Sequence, residues 1–167
     1  MSTSTISDST SELLQKIKGA HICMLTTLDE NDQLVSQPMT LQEIDGSGDL
    51  WFFTSGKTSC AQNILAHREV NLSFADSTKS LYVSVSGEAS QVRDRARLQS
   101  LWNPTVGVWF PKGIDDPHLL LLKVVPHCAE YWDNESNTMM KMLTMAKATL
   151  TGRPPEVKPG EHGNINL

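Results

Sequence analysis

The chain has 167 residues, a formal net charge of −5 and an isoelectric point of about 5.5. That length suits a single domain with a sizeable core. The acidic balance argues against nucleic acid or an anionic membrane surface as a partner, while leaving room for one locally bound phosphate. No apolar run approaches the ~20 residues of a membrane-spanning helix. Residues 1–12 lack the positive start and apolar centre of a signal peptide, so a cytoplasmic protein is expected.

Taken in order, the pattern over 11–19 predicts a helix, with Leu13, Leu14 and Ile17 on one face and Gly19 at its end. Residues 21–28 read as a strand, and Asp29 to Asp32 as a turn. The stretch 33–60 is the most distinctive. A long strand carrying Val35, Met39 and Leu41 on one side is interrupted in its hydrogen bonding by Pro38. A turn over Gly46 and Gly48 leads to the aromatic strand Leu50-Trp51-Phe52-Phe53. That strand ends in Thr54-Ser55-Gly56-Lys57-Thr58-Ser59, where hydroxyls, backbone N–H groups and a lysine could hold an anion. Thr58 or Ser59 caps a short helix over 60–67.

Residues 70–75 and 81–92 alternate as the strands of a hairpin, with Gly87 marking a bulge. A helix over 93–102 stops at Asn103-Pro104. Residues 106–116 are irregular and present Trp109 and Phe110. Leu119 to Val125 reads as a buried central strand that continues past Pro126 to Asp133. A Met-rich amphipathic helix is expected over 138–150. The boundaries are one domain over 1–150 and a mobile, Pro/Gly-rich tail over 151–167. Six strands in short antiparallel hairpins give a mainly β (α+β) chain, best arranged as a closed or partly closed antiparallel barrel with peripheral helices.

Most chemical motifs fail on spacing. Gly56-Lys57-Thr58 resembles the end of a P-loop, but the glycine required five residues earlier is Trp51. Gly46 and Gly48 lack the third glycine and the helix of a dinucleotide fingerprint. The five histidines have no ligand spacing, so no metal is expected. Cys23, Cys60 and Cys128 are odd in number and far apart, which fits neither a disulfide framework nor a zinc site. Cys23 and Cys128 are expected in the core, and Cys60 as buried filler beside the polar loop. Arg93, Asp94, Arg95 and Arg97 read as a solvated helix face. What remains is an aggregate: Trp51, Trp102, Trp109, Trp132 and a Phe pair near one hydroxyl-rich loop. A planar aromatic ligand carrying a phosphate would use both. On residue types alone, the favoured reading of the four tryptophans is core and interface packing.

The segments SQPMTLQEIDGSGDLWFFTS, NILAHREVNLSFAD, YVSVSGEA, LWNPTVGVWFPKGIDDP and LLLLKVVPHCAEYWD, in that order, resemble the pyridoxamine 5′-phosphate oxidase-like split-barrel flavoproteins. The resemblance is to the general stress protein 26 branch and spans about residues 13–147. It implies a six-stranded split barrel and a homodimer with an FMN cleft between subunits, FAD being the alternative. The matched strand 36–41, with Gln37, Pro38, Met39 and Thr40, would run beside the flavin ring. Phe53, Thr54 and Ser55 would follow the ribityl chain, and Lys57, Thr58, Ser59 and Cys60 would hold the phosphate. Trp132 would reach the flavin from the partner subunit, and Trp109 with Phe110 would cover the cleft. Two departures stand out. The family often carries Arg at the place of Gln37, and a lysine or arginine-lysine pair where this chain has Ser59-Cys60. The resulting expectation is a stress-linked flavoprotein, either a low-turnover oxidoreductase or a non-catalytic carrier or sensor without pyridoxamine 5′-phosphate oxidase activity. A structural dimer that has lost its ligand is a third reading. No residue stands out as a general acid or base.

Overall fold

A computed structural model describes residues 8–17, 19–133 and 161–166. In chain order the elements are α1 (Asp8–Ile17), β1 (Ile22–Leu28), β2 (Leu34–Ile44), β3 (Leu50–Ser55), α2 (Ser59–Ala66), β4 (Glu69–Asp76) and β5 (Leu81–Val92). There follow α3 (Arg95–Leu101), α4 (Pro104–Trp109), a 3-10 turn (Gly113–Asp115), β6 (Leu119–Asp133) and β7 (Glu161–Asn166). All strand pairs are antiparallel, in the order β3-β2-β1-β4-β5-β6-β7. A further β3–β6 ladder joins the ends of the first six and closes them into a barrel.

β3 is covered on both faces, which explains its unbroken apolar run. Leu50 and Phe52 point into the barrel with Leu25, Leu72, Val85 and Leu120. Trp51 points outward into a second cluster with Leu98, Leu119 and Leu121, against which Phe53, Trp102 and Phe110 pack. Leu119 to Leu122 are all buried for the same reason. Burying each such Leu or Phe contributes roughly 1.5–3 kcal/mol. The outer cluster is the seat of α3 and α4, so the helices are fixed to the back of the closing ladder.

Local chemistry sets the hairpins. Asp29 Oδ1 accepts the backbone N–H groups of Asn31 (2.8 Å) and Gln33 (2.9 Å) at the β1–β2 turn. Asp45 does more at the β2–β3 turn. Its Oδ1 accepts from the Ser47 and Asp49 backbones, and its Oδ2 accepts from the Trp51 indole at 2.8 Å. The Arg97 guanidinium lies 4.4 Å from the Trp51 ring centroid and 3.8 Å from Asp45. One carboxylate thereby ties turn, strand and α3 together.

Several expectations are corrected. The segment after Asn103 is not irregular at its start: Asn103 caps α4 by accepting from Val106 N–H (3.1 Å), with Pro104 at the first helical position. Part of the expected mobile tail, Glu161–Asn166, forms β7 against the second half of β6. Its single buried apolar residue, Ile165, packs opposite Ala129, too brief a signal to read as a strand. Cys128 is exposed rather than core. The register shift at Ser86/Gly87 places His127 and Cys128 consecutively outside and turns Ala129 inward. The Met-rich segment 138–150 lies outside the described residues.

The expected bulge at Gly87 is present, and a Cβ there would sit 2.9 Å from Pro126 Cα and collide with the Val125 carbonyl oxygen. Gly87→Ala is therefore expected to cost about 1–3 kcal/mol in a urea melt. Asp45 supplies a pH signature. Burial raises its pKa, but the Trp51, Ser47 and Asp49 hydrogen bonds and the Arg97 charge outweigh it and hold the carboxyl below its ordinary value. A depressed folded-state pKa stabilises the protein above the unfolded carboxylate value of about 4, and that stability is lost as pH falls below it. In melts taken from neutral pH downward, Asp45→Asn should flatten this acid loss and lower stability at neutral pH.

Candidate functional site

A cavity of about 580 Å³ opens where β2, the end of β3 and α4 meet. β2 contributes Pro38, Met39 and Thr40, and β3 contributes Phe53, Thr54 and Ser55. Thr58 from the following loop and Trp109 from α4 complete the expected residues found there. Ile22, Gln42, Val106 and Phe110 also line it. Among these lining residues none carries a charge, and Trp109 is 77% exposed at the rim. The walls are apolar and aromatic on one side and rich in hydroxyls on the other.

The hydroxyl side is prearranged. Thr58 is the N-cap of α2, its Oγ1 accepting from Ala61 N–H at 3.2 Å. The same hydroxyl donates to the Ser55 carbonyl at 2.9 Å and lies 3.2 Å from Thr54 Oγ1. Ser55 Oγ accepts from the Lys57 backbone at 3.3 Å. The loop is also held from β6, because Gly56 N–H donates to the His118 carbonyl at 2.8 Å. The first N–H groups of α2 have no partner within the helix and face this loop.

The aromatic side is anchored through Asn103. Besides capping α4, its amide Nδ2 donates to Gln42 Oε1 at 3.0 Å, so α4 is tied to β2. Trp102 meets Phe53 edge to face at 5.9 Å. Trp109 is in this way carried on a short helix anchored at its N-terminal end, where Trp102 and Asn103 meet β3 and β2.

Five expected residues lie apart from the cavity. The Gln37 amide is turned to Met39, its Nε2 3.3 Å from the sulfur. Cys60 is 2% exposed and packs in the barrel core, with burial pushing its thiol up to about 11. Ser59 lines a separate cavity of about 480 Å³ beside Asp29, Glu30 and His67. Lys57 is exposed on the loop. Trp132 is on β6, 40% exposed, and stacks on His162 of β7 at 5.1 Å. The sequence reading also missed a residue. Arg93, taken as part of a solvated helix face, lies against Gly56: a Cβ on that glycine would be 3.0 Å from Arg93 Nη2. Only the pairing of both β3 and β5 with β6 brings the two together, so no local pattern could have found it.

A closed six-stranded antiparallel barrel with an aromatic-and-hydroxyl cleft at one end defines a split-barrel protein. The family described as pyridoxamine 5′-phosphate oxidase like matches residues 8–156, and the chain belongs to it. The protein bli-3 of Neurospora crassa is 31% identical over 144 residues, covering 80% of this chain and 69% of that protein. A general stress protein 26 from Jannaschia sp. CCS1 superposes with a TM-score of 0.72 at 27% identity, over 96% of this chain and 99% of that one. The general stress FMN/FAD binding protein of Xanthomonas citri superposes with a TM-score of 0.66 at 32% identity, over 77% and 90%.

Asn103→Ala removes a helix cap and the bond to Gln42 together. It should cost about 1 kcal/mol in a thermal or urea melt. Trp109 fluorescence anisotropy should fall, measured in a variant whose other tryptophans are Phe.

Proposed function

We propose that the chain is an FMN-binding flavoprotein of the general stress type, working as a homodimer with its cofactor clefts between subunits. The observation that carries this is the cleft itself, with apolar and aromatic walls at Pro38, Met39, Phe53 and Trp109 and a hydroxyl loop at Thr54, Ser55 and Thr58. Its volume of about 580 Å³ falls within the roughly 300–1,000 Å³ of ligand pockets. The flavin ring would lie along β2, the ribityl chain along Phe53 to Ser55, and the phosphate at the loop. The FMN/FAD binding of the Xanthomonas relative supports the cofactor class.

Dimerisation rests on an exposed apolar face continuous with the cleft. Ile22 (64% exposed) and Met24 (42%) stand beside Pro38 on the outer side of β1 and β2, and Leu34 (75%) lies further along the same face, beyond the Thr26–Ser36 pair. Such a patch beside a binding cleft marks an interface. In the proposed dimer, the partner's Trp132 is the residue expected to reach the open side of the cavity.

A bound flavin would supply electron-pair transfer. The chain's own part is to hold the ring between β2 and Trp109 and to limit water. One observation favours the non-catalytic carrier or sensor reading: among the described residues that line the cavity there is no His, Asp, Glu, Lys or Cys to act as a general acid or base at the ring. Anaerobic mixing with NADH or NADPH separates the two. Rapid bleaching identifies an oxidoreductase, and persistent colour a carrier.

Protein purified under native conditions should be yellow, releasing an FMN-sized ligand on denaturation. Colourless protein that also fails to bind added FMN would refute the proposal. Trp109→Ala should weaken FMN binding by about tenfold in a fluorescence titration, as expected for losing one stacking face.

A further inference from the structure

Two cations flank the hydroxyl loop, and among the described residues neither is paired with a carboxylate. The other three arginines among the described residues are paired: Arg68 with Glu88 (3.2 Å), Arg95 with Asp115 (2.7 Å) and Arg97 with Glu43 (3.1 Å). Lys123 pairs with Asp49 at 2.6 Å. Among the described residues, Lys57, Lys79, Lys112 and Arg93 form no ion pair, and of these Lys57 and Arg93 stand at the hydroxyl loop. In a chain of net charge −5, two uncompensated cations at one loop mark a place where an anion is stabilised.

Arg93 is also fixed in position. Its Nη1 donates to the Pro117 carbonyl at 3.3 Å, one residue before the His118 carbonyl that accepts from Gly56 N–H at 2.8 Å. One short segment of chain therefore anchors both the guanidinium and the loop. Nη2 would lie 3.0 Å from a Cβ on Gly56, the residue that follows Ser55 and stands two before Thr58; Ser55 and Thr58 line the cavity, and Lys57 and Arg93 stand just beyond its lining. Gln37 and Cys60 bring no charge, one being turned to Met39 and the other buried in the core.

Resting on the flavin reading above, we infer that Arg93 is the phosphate-recognising residue of the cleft, sharing a terminal phosphomonoester with Lys57. It thereby sets a preference for FMN over riboflavin. A guanidinium offers paired N–H donors to phosphate oxygens, and a charge-assisted bond is about twice as strong as a neutral one. Riboflavin has the same ring and ribityl chain but no phosphate, so it isolates this contribution.

The test is a pair of titrations, FMN and riboflavin, on wild type, Arg93→Ala and Arg93→Lys, each checked for an unchanged melting temperature. Wild type should bind FMN more tightly than riboflavin. Arg93→Ala should lose about tenfold or more in FMN affinity, with riboflavin affinity unchanged. Arg93→Lys should fall between, because a point charge replaces a fork. Gly56→Ala, whose Cβ would press within 3.0 Å of Nη2 and shift the guanidinium slightly, should reproduce part of the loss. An Arg93→Ala protein that keeps the full preference, or weakens toward both ligands equally, overturns the assignment and leaves the flavin reading standing. Wild type that binds neither ligand overturns both.

Discussion

The β3–β6 ladder is the constraint on which the rest depends. Six residue pairs, from Leu50 opposite Val124 to Ser55 opposite Leu119, join the two ends of the strand order. Without them the sheet would have a long apolar open edge. With them β3 becomes an interior strand, flanked by β2 and β6, and must be apolar on both faces. Its last residues, Thr54 and Ser55, are still paired with Leu120 and Leu119, and their hydroxyls line the cavity, that of the buried Thr54 lying 3.2 Å from Thr58 Oγ1.

The same ladder positions the other wall. Its outer face, at Trp51, Leu119 and Leu121, seats α3 and α4. Arg97 over Trp51, and Asp45 bonded to that indole, fasten α3 to the β2–β3 turn. Asn103 then passes the connection from α4 back to Gln42 on β2. The cleft is bounded by elements referenced to one pair of strands, which gives a shallow site the rigidity that ligand recognition needs.

Much of this was legible in the chain. The unbroken run Leu119 to Val125 and the alternation over 81–92 gave their strands, because burial on two faces or one leaves distinct periods. Gly87 marked its bulge, since only a residue without Cβ fits beside Val125. Eight of the residues nominated for the cofactor share the cavity, since neighbours along β2 and β3 remain neighbours in space. What sequence could not show were relations across the barrel. Arg93 meets Gly56 only through strand pairing. Cys60 faces the core although its neighbour Ser59 does not, because the helix turns about 100° per residue. β7 escaped notice because a single buried Ile165 in a polar, Gly-containing stretch has no period to read.

The central proposal is a flavin cleft completed by a second copy of the chain. Sedimentation velocity of FMN-loaded protein, followed by flavin absorption across a dilution series, tests that most directly. The account predicts one flavin per subunit, sedimenting with the dimer and released as dilution yields monomer. Flavin that travels undiminished with monomer would contradict it.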